Sequence, residues 1–146
     1  MKDEFVHRRV LRAPRELVWR CLTEPSELAR FWGPRGMDTP VDGIVVELWP
    51  GGRFETLMIG TSGSHHRMVA TFTEVVPPER LAWIEPASGM HTTSTLDDLG
   101  DGTTSVVIHQ RRVPEAMRRP EARAGFLTSL DKLENHLAHL MQGDRQ

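Results

Sequence analysis

The stretch from Pro120 to Met141 constrains the fold more than any other part of the chain. Its apolar residues Phe126, Leu130, Leu133, Leu137 and Leu140 recur at intervals of four and three, which places them on one stripe of an α-helix. Ser129, Asp131, Lys132, Glu134, Asn135, His136 and His139 fall between them and are expected to face water. Pro120 suits the first turn, where its missing N–H loses no partner. Glu121 suits the positive end of the helix dipole, and Gly143 can stop the helix. About 22 residues form a rod roughly 33 Å long. A rod that is apolar along one side needs a broad surface to lie on. Gly125 sits inside it and costs about 1 kcal/mol relative to Ala. Two readings of it stay open: a tolerated glycine, or close approach of another backbone just before Phe126.

The strand-rich middle of the chain can supply that surface. Phe5 to Leu11 reads as a first strand. Ala13-Pro14 opens a helix with Leu17, Val18, Cys21 and Leu22 on one stripe and Trp19 at its edge. Thr23-Glu24-Pro25 ends it and starts a second short helix carrying Leu28, Phe31 and Trp32, stopped by Gly33-Pro34. Further strands are expected at Ile44–Trp49, Arg53–Ile59, His65–Val75, Leu81–Glu85, Met90–Leu96 and Thr103–Arg112, separated by turn-forming clusters such as Pro50-Gly51-Gly52 and Pro77-Pro78-Glu79. Tight turns and no crossover helices favour an antiparallel sheet. The order is strand, two helices, six strands, long helix, an α+β arrangement. The sheet has to curl over the long helix, and a cavity between them, open toward the loops, is expected.

With 146 residues, one domain with a core of its own is expected. A net charge of −2 offers no footprint for nucleic acid or for an anionic membrane. Cys21 is the only cysteine, so no internal disulfide forms and a reducing compartment fits. The charged start Met1-Lys2-Asp3-Glu4 has no apolar core of a signal peptide, and no apolar run is long enough for a membrane span. The expected setting is cytoplasmic. Edge strands leave room for a homodimer.

Motifs for chemistry are scarce. Pro50-Gly51-Gly52 supplies turn dihedrals; no helix follows it, so it is not a phosphate loop. There is no nucleophile elbow, no Ser–His–Asp order and no glycine-rich cofactor loop, and no cofactor is expected. His65, His66, His91 and His109 lie on strands, but no HxH or HxxEH spacing is present, and no metal is expected. Glu47, Glu55, His66, His91 and His109, with Arg53 and Arg67, are the candidates for acid–base or anion-binding work, although each also fits an outward strand position. Cys21 reads as a small buried hydrophobe. The stronger candidate is an apolar pocket lined by Trp32, Phe54, Met58, Met68, Phe72, Trp83, Phe126 and Leu130, with His91 and His109 as polar members. For each apolar residue, simple core filling is the competing reading. The chain has no Tyr, so polar selection falls to His, Arg, Thr or Glu.

An ordered set of stretches then points to a family: Ala13-Pro14-Arg15-Glu16-Leu17-Val18-Trp19, Trp32-Gly33-Pro34, Pro50-Gly51-Gly52-Arg53-Phe54, Val75-Val76-Pro77-Pro78-Glu79-Arg80-Leu81, Gly102-Thr103-Thr104 and Gly125-Phe126. In this order they resemble the START-like, birch-pollen-allergen-like helix-grip superfamily. More narrowly, they resemble the family named after the C-terminal domain of the activator of the heat-shock chaperone's ATPase. The resemblance spans about Val6 to Leu140. Phe126 departs from it, since relatives usually carry Trp there. The resemblance implies a helix-grip fold of about seven strands whose cavity holds an apolar or amphipathic small molecule. It also implies two alternatives: a cyclase, dehydratase or hydrolase using the same cavity, and a chaperone co-factor or other interaction module. The activators' additional N-terminal domain does not fit in a chain this short.

Overall fold

Strand β1 (Phe5–Leu11) alternates between the two faces of a sheet: His7 and Leu11 are buried, while Val6, Arg8 and Val10 are exposed. A computed structural model describes residues 3–143 of the chain; Met1 and Lys2 of the charged N-terminus lie outside it. Two short helices follow, α1 (Arg15–Thr23) and α2 (Pro25–Phe31). Pro14 caps α1 and Pro25 occupies the first turn of α2, where a missing N–H costs nothing. Gly33, at φ +94°, turns the chain out of α2. Six more strands come next: β2 (Val45–Val46), β3 (Arg53–Ile59), β4 (His65–Val76), β5 (Arg80–Glu85), β6 (Met90–Asp98) and β7 (Thr104–Arg111). The last element is the long helix α3 (Pro120–Gly143).

All seven strands form one antiparallel sheet in the order β1-β7-β6-β5-β4-β3-β2. This is the α+β helix-grip arrangement expected from the sequence. The first strand pairs with the last, Phe5 opposite Gln110 and Leu11 opposite Thr104. The remaining neighbours are hairpins. A register shift between Phe72 and Glu74 interrupts the β4–β5 ladder.

Period-two alternation sorts the side chains. Phe5, His7, Leu11, Phe54, Thr56, Met68, Phe72, Leu81, Trp83, Thr92, Leu96, Val106 and Gln110 share the inner face through their cross-strand pairing. Helix α3 lies against this face with Leu130, Leu133 and Leu137 buried. Each sealed leucine contributes about 1.5–3 kcal/mol relative to exposure.

The expected strand Ile44–Trp49 is shortened to two residues. After Val46 one more backbone bond reaches β3, from the Glu47 amide to the Arg53 carbonyl, and the loop then folds back on itself. The Gly52 amide donates to the Trp49 carbonyl, the Gly51 amide donates to the Phe72 carbonyl, and the Phe72 amide donates to the Gly52 carbonyl. A Cβ on Gly52 would stand 2.0 Å from the Glu47 carbonyl oxygen. Glycine is required here, and Gly51 and Gly52 bond to β4.

The polar flank of α3 is not simply wet. Ser129 donates to the Phe31 carbonyl at 3.0 Å and Lys132 to the Gly33 carbonyl at 3.1 Å. Arg9 of β1 meets Asp131 at 2.8 Å. His136 Nε2 lies 2.9 Å from Glu27 Oε1, both side chains largely buried. The expectation that these residues face only water is corrected; His139 alone of the two helix histidines is exposed. The reason is that the backbone of α3 comes closest to α2, to the turn at Glu115–Arg118 and to α1, so its flanks abut protein. Gly125 marks close approach, though by a ring and not by backbone: a Cβ there would stand 3.3 Å from Pro34 Cβ. No described helix is long and apolar enough to cross a membrane.

Candidate functional site

Four of the expected pocket residues come together in one aromatic cluster. Phe54 and Phe72 stack with centroids 5.2 Å apart. Trp83 meets Phe54 edge-on at 5.0 Å, and Trp32, delivered by the end of α2, meets Phe54 at 5.3 Å. The adjacent strands β3, β4 and β5 force this, since Phe72 is paired with Trp83 and Phe54 with Ala70 on the same face. These rings build the wall by packing on one another, as the competing core-filling reading describes.

Beside the cluster the wall loosens. Met58 and Met68 are half-buried on the inner face of β3 and β4, and Trp32 is half-buried. Helix α3 covers this part unevenly. Leu130 is buried, but no described residue of the helix before it is. Phe126 faces the sheet half-buried, its ring 4.5 Å from that of His7. One turn earlier, Arg123 lies over the Phe5 ring at 4.1 Å, a cation–π contact.

The sheet also places polar groups here that sequence reasoning did not select. His7 hydrogen-bonds Gln110 and is held below its ordinary pKa, chiefly by burial and then by the Arg123 charge, with the Gln110 bond opposing. It is therefore a neutral ring near pH 7. Glu85 follows Trp83 by two on β5 and sits opposite Met90. Burial pushes its carboxyl above the usual carboxylate range. Among the described residues it has no ion-pair or side-chain hydrogen-bond partner. Thr56, fully buried opposite Met68, has a hydroxyl without a partner. A buried polar group with nothing to bond costs about 1–3 kcal/mol. The alternation of β1 and β5 carried the signal: His7 shares parity with Leu11, and Glu85 with Leu81 and Trp83.

The two strand histidines belong elsewhere. His91 pairs with Arg111 and His109 with Thr93 and Val6 across the sheet, on the outer face. His109 Nε2 lies 2.8 Å from Glu4 Oε1. Neither can line a space beneath α3, and the expectation that they do is corrected: a shift of one residue reverses the face. Arg53 and Glu47 pair with each other near the β2–β3 turn, while Glu55 and Arg67 point outward. His66 shares the inner parity with Met58 but is exposed at the sheet end. Cys21 is fully buried and its thiol is pushed up to about 12, first by desolvation. Among the described residues no cluster of three or more His, Cys, Asp or Glu could hold a metal. Two surface grooves lie away from the inner face. One, of about 400 Å³, is at the start of β1; the other, of about 440 Å³, is between α1 and Met141.

No curated protein matches this sequence. Solved structures do. A protein from Nitrosomonas europaea superposes with a TM-score of 0.83 at 25% identity, covering 97% of each chain. One from Chromobacterium violaceum gives 0.82 at 28% identity, covering 94% of this chain and 98% of that one. The fold alone is shared with an Aeromonas hydrophila relative named for the same family, at 24% identity and a TM-score of 0.80, covering 94% and 93%. The model of the family described as Activator of Hsp90 ATPase homolog 1-like protein matches residues 12–138. The ordered motifs, the helix-grip sheet and this match agree: the chain belongs to that family.

Proposed function

We propose that this protein binds an apolar or amphipathic small molecule between the N-terminal half of α3 and the inner face of the sheet. The reading rests on the uneven cover of α3: nothing before Leu130 is sealed, although Phe126 reaches the sheet. Trp32, Met58, Met68 and Phe126 would hold the apolar body, with Phe54, Phe72, Trp83 and Leu130 as the firm wall behind. Methionine adapts to varied shapes. Glu85 would take a hydroxyl or amine of the ligand, since its carboxyl has no partner of its own.

Neutral probes test this: decanol, naphthalene and a sterol, scored by melting temperature and by tryptophan fluorescence. A ligand that binds only the native state at a hundred times its Kd stabilises by about 2.7 kcal/mol. Met68→Trp puts a larger side chain into the proposed ligand space and should abolish the gain while leaving the chain folded. If no probe raises the melting temperature, or if Met68→Trp leaves the gain intact, the reading fails.

A further inference from the structure

On the outer face, at the opposite surface from the ligand space proposed above, the groove of about 400 Å³ is lined by Asp3, Glu4, Ile84, Gly89, His91, Arg111 and Arg112. Its volume is in the range of small-molecule sites. The cross-strand pairing explains its floor. Ile84 is opposite His91, and His91 opposite Arg111, so the three form one row on the outer face.

Arg112 does not belong to that row by parity. Neighbours along a strand point to opposite faces, so Arg112 should turn away from Arg111. It reaches the same groove because its backbone leaves the strand at φ +56°, the one non-glycine residue at positive φ among the described residues. A side chain with a Cβ is uncommon there and pays a conformational penalty. Gly89, also at positive φ, leaves the opposite rim bare. A Cβ on it would stand 3.8 Å from Arg112 Cδ and one terminal nitrogen, so the guanidinium lies over the glycine.

Two adjacent guanidiniums thus converge on one groove, and among the described residues neither has a carboxylate within ion-pair distance. Arg111 is held in place. One of its terminal nitrogens donates to His91 Nδ1 at 2.7 Å, and His91 Nε2 is 3.2 Å from Thr73 Oγ1. An imidazole that accepts at Nδ1 carries its proton on Nε2, which it donates to Thr73. The ring is therefore neutral and fixed in one tautomer. Burial first, and the charge of Arg111 second, favour that state. On the far wall Glu4 is engaged by His109, and Asp3 adds a second negative charge near the rim.

We propose that this groove is a binding site for a small monocarboxylic acid, its carboxylate held by the forks of Arg111 and Arg112 and its apolar part resting on Ile84. Planar guanidinium forks match carboxylate geometry. The acidic far wall selects against a dianion such as phosphate.

The test is a ¹H–¹⁵N NMR titration of the full chain with benzoate, hexanoate and inorganic phosphate, following the His91 and Arg111 side-chain signals. Benzoate and hexanoate should shift them saturably, with phosphate at least tenfold weaker. Arg112→Gly keeps the left-handed backbone and should remain folded while weakening benzoate at least tenfold. Arg111→Ala should do the same. Neutral decanol should leave these signals in place, which separates this groove from the inner-face reading. Absence of saturable shifts with both carboxylates overturns the site. So do undiminished benzoate binding by Arg112→Gly, or phosphate binding as tightly as benzoate.

Discussion

Leu133 and Leu127 offer a matched pair on one helix. Leu133 is 1% exposed and belongs to the core with Leu11, Phe31 and Val106; Leu127 is 42% exposed. Replacing either by Ala deletes the same three carbons and leaves helix propensity almost unchanged. At Leu133 those carbons return to water on unfolding, a transfer loss of about 2.4 kcal/mol at roughly 0.8 per methylene-sized group. The void left beneath α3 adds to this, since α3 is clamped by Arg9–Asp131 and His136–Glu27 and cannot collapse inward freely. Leu133→Ala is therefore expected to cost about 3–4 kcal/mol, within the range of buried leucine truncations. For a chain of this size that lowers the melting temperature by roughly 10 °C or more. Leu127→Ala should stay within about 0.5 kcal/mol. Urea unfolding followed by far-ultraviolet circular dichroism measures both. Equal losses at the two positions, or a loss below about 1 kcal/mol at Leu133, would refute the packing of α3 described above.

Gly52→Ala should destabilise more than an ordinary surface change, because its Cβ would meet the Glu47 carbonyl at 2.0 Å; thermal melts check it, and a neutral result contradicts the loop geometry. Cys21 should resist a thiol reagent at pH 8 in the folded state and react on addition of urea, since the thiol is buried and pushed up to about 12. Burial raises the Glu27 carboxyl, but the His136 contact and Arg20 outweigh it and set the folded pKa below the ordinary value. A depressed carboxylate stabilises above its unfolded pKa and loses that contribution as pH falls through the folded value. Wild type should therefore lose stability more steeply than Glu27→Gln between about pH 5 and 3; parallel curves would contradict this.

Local pattern carried most of the architecture. Arg53–Ile59 is a strand-length stretch bounded by turn residues on both sides, and the leucine spacing of α3 admits one period only. The ordered motifs from Ala13-Pro14 to Gly125-Phe126 carried the family. What stayed hidden depends on residues far apart in the chain. His136 reads as a wet helix residue until α2 brings Glu27 against it. His91 and His109 carry no mark of inside or outside until their chain neighbours Thr92 and Gln110, which pair with each other, are seen to be buried on the opposite face. Arg112 sits at a strand end with nothing in its neighbours to announce a left-handed backbone. Glu85 could have been read: it keeps the parity of Leu81 and Trp83, and a carboxylate on a buried face is an exception that needs a reason.

The pairing of β1 with β7 sets a schedule for the nascent chain. Phe5 finds its ladder partner only at Gln110. On a ribosome adding about 5–20 residues per second, the first strand waits roughly 5–20 s for the last. Through that interval α1 and α2 can form locally, while β1 keeps an unfilled hydrogen-bonding edge exposed to other chains. Conditions that slow elongation between β2 and β7 should therefore raise aggregation of this protein before they affect the melting temperature of the molecules that complete folding.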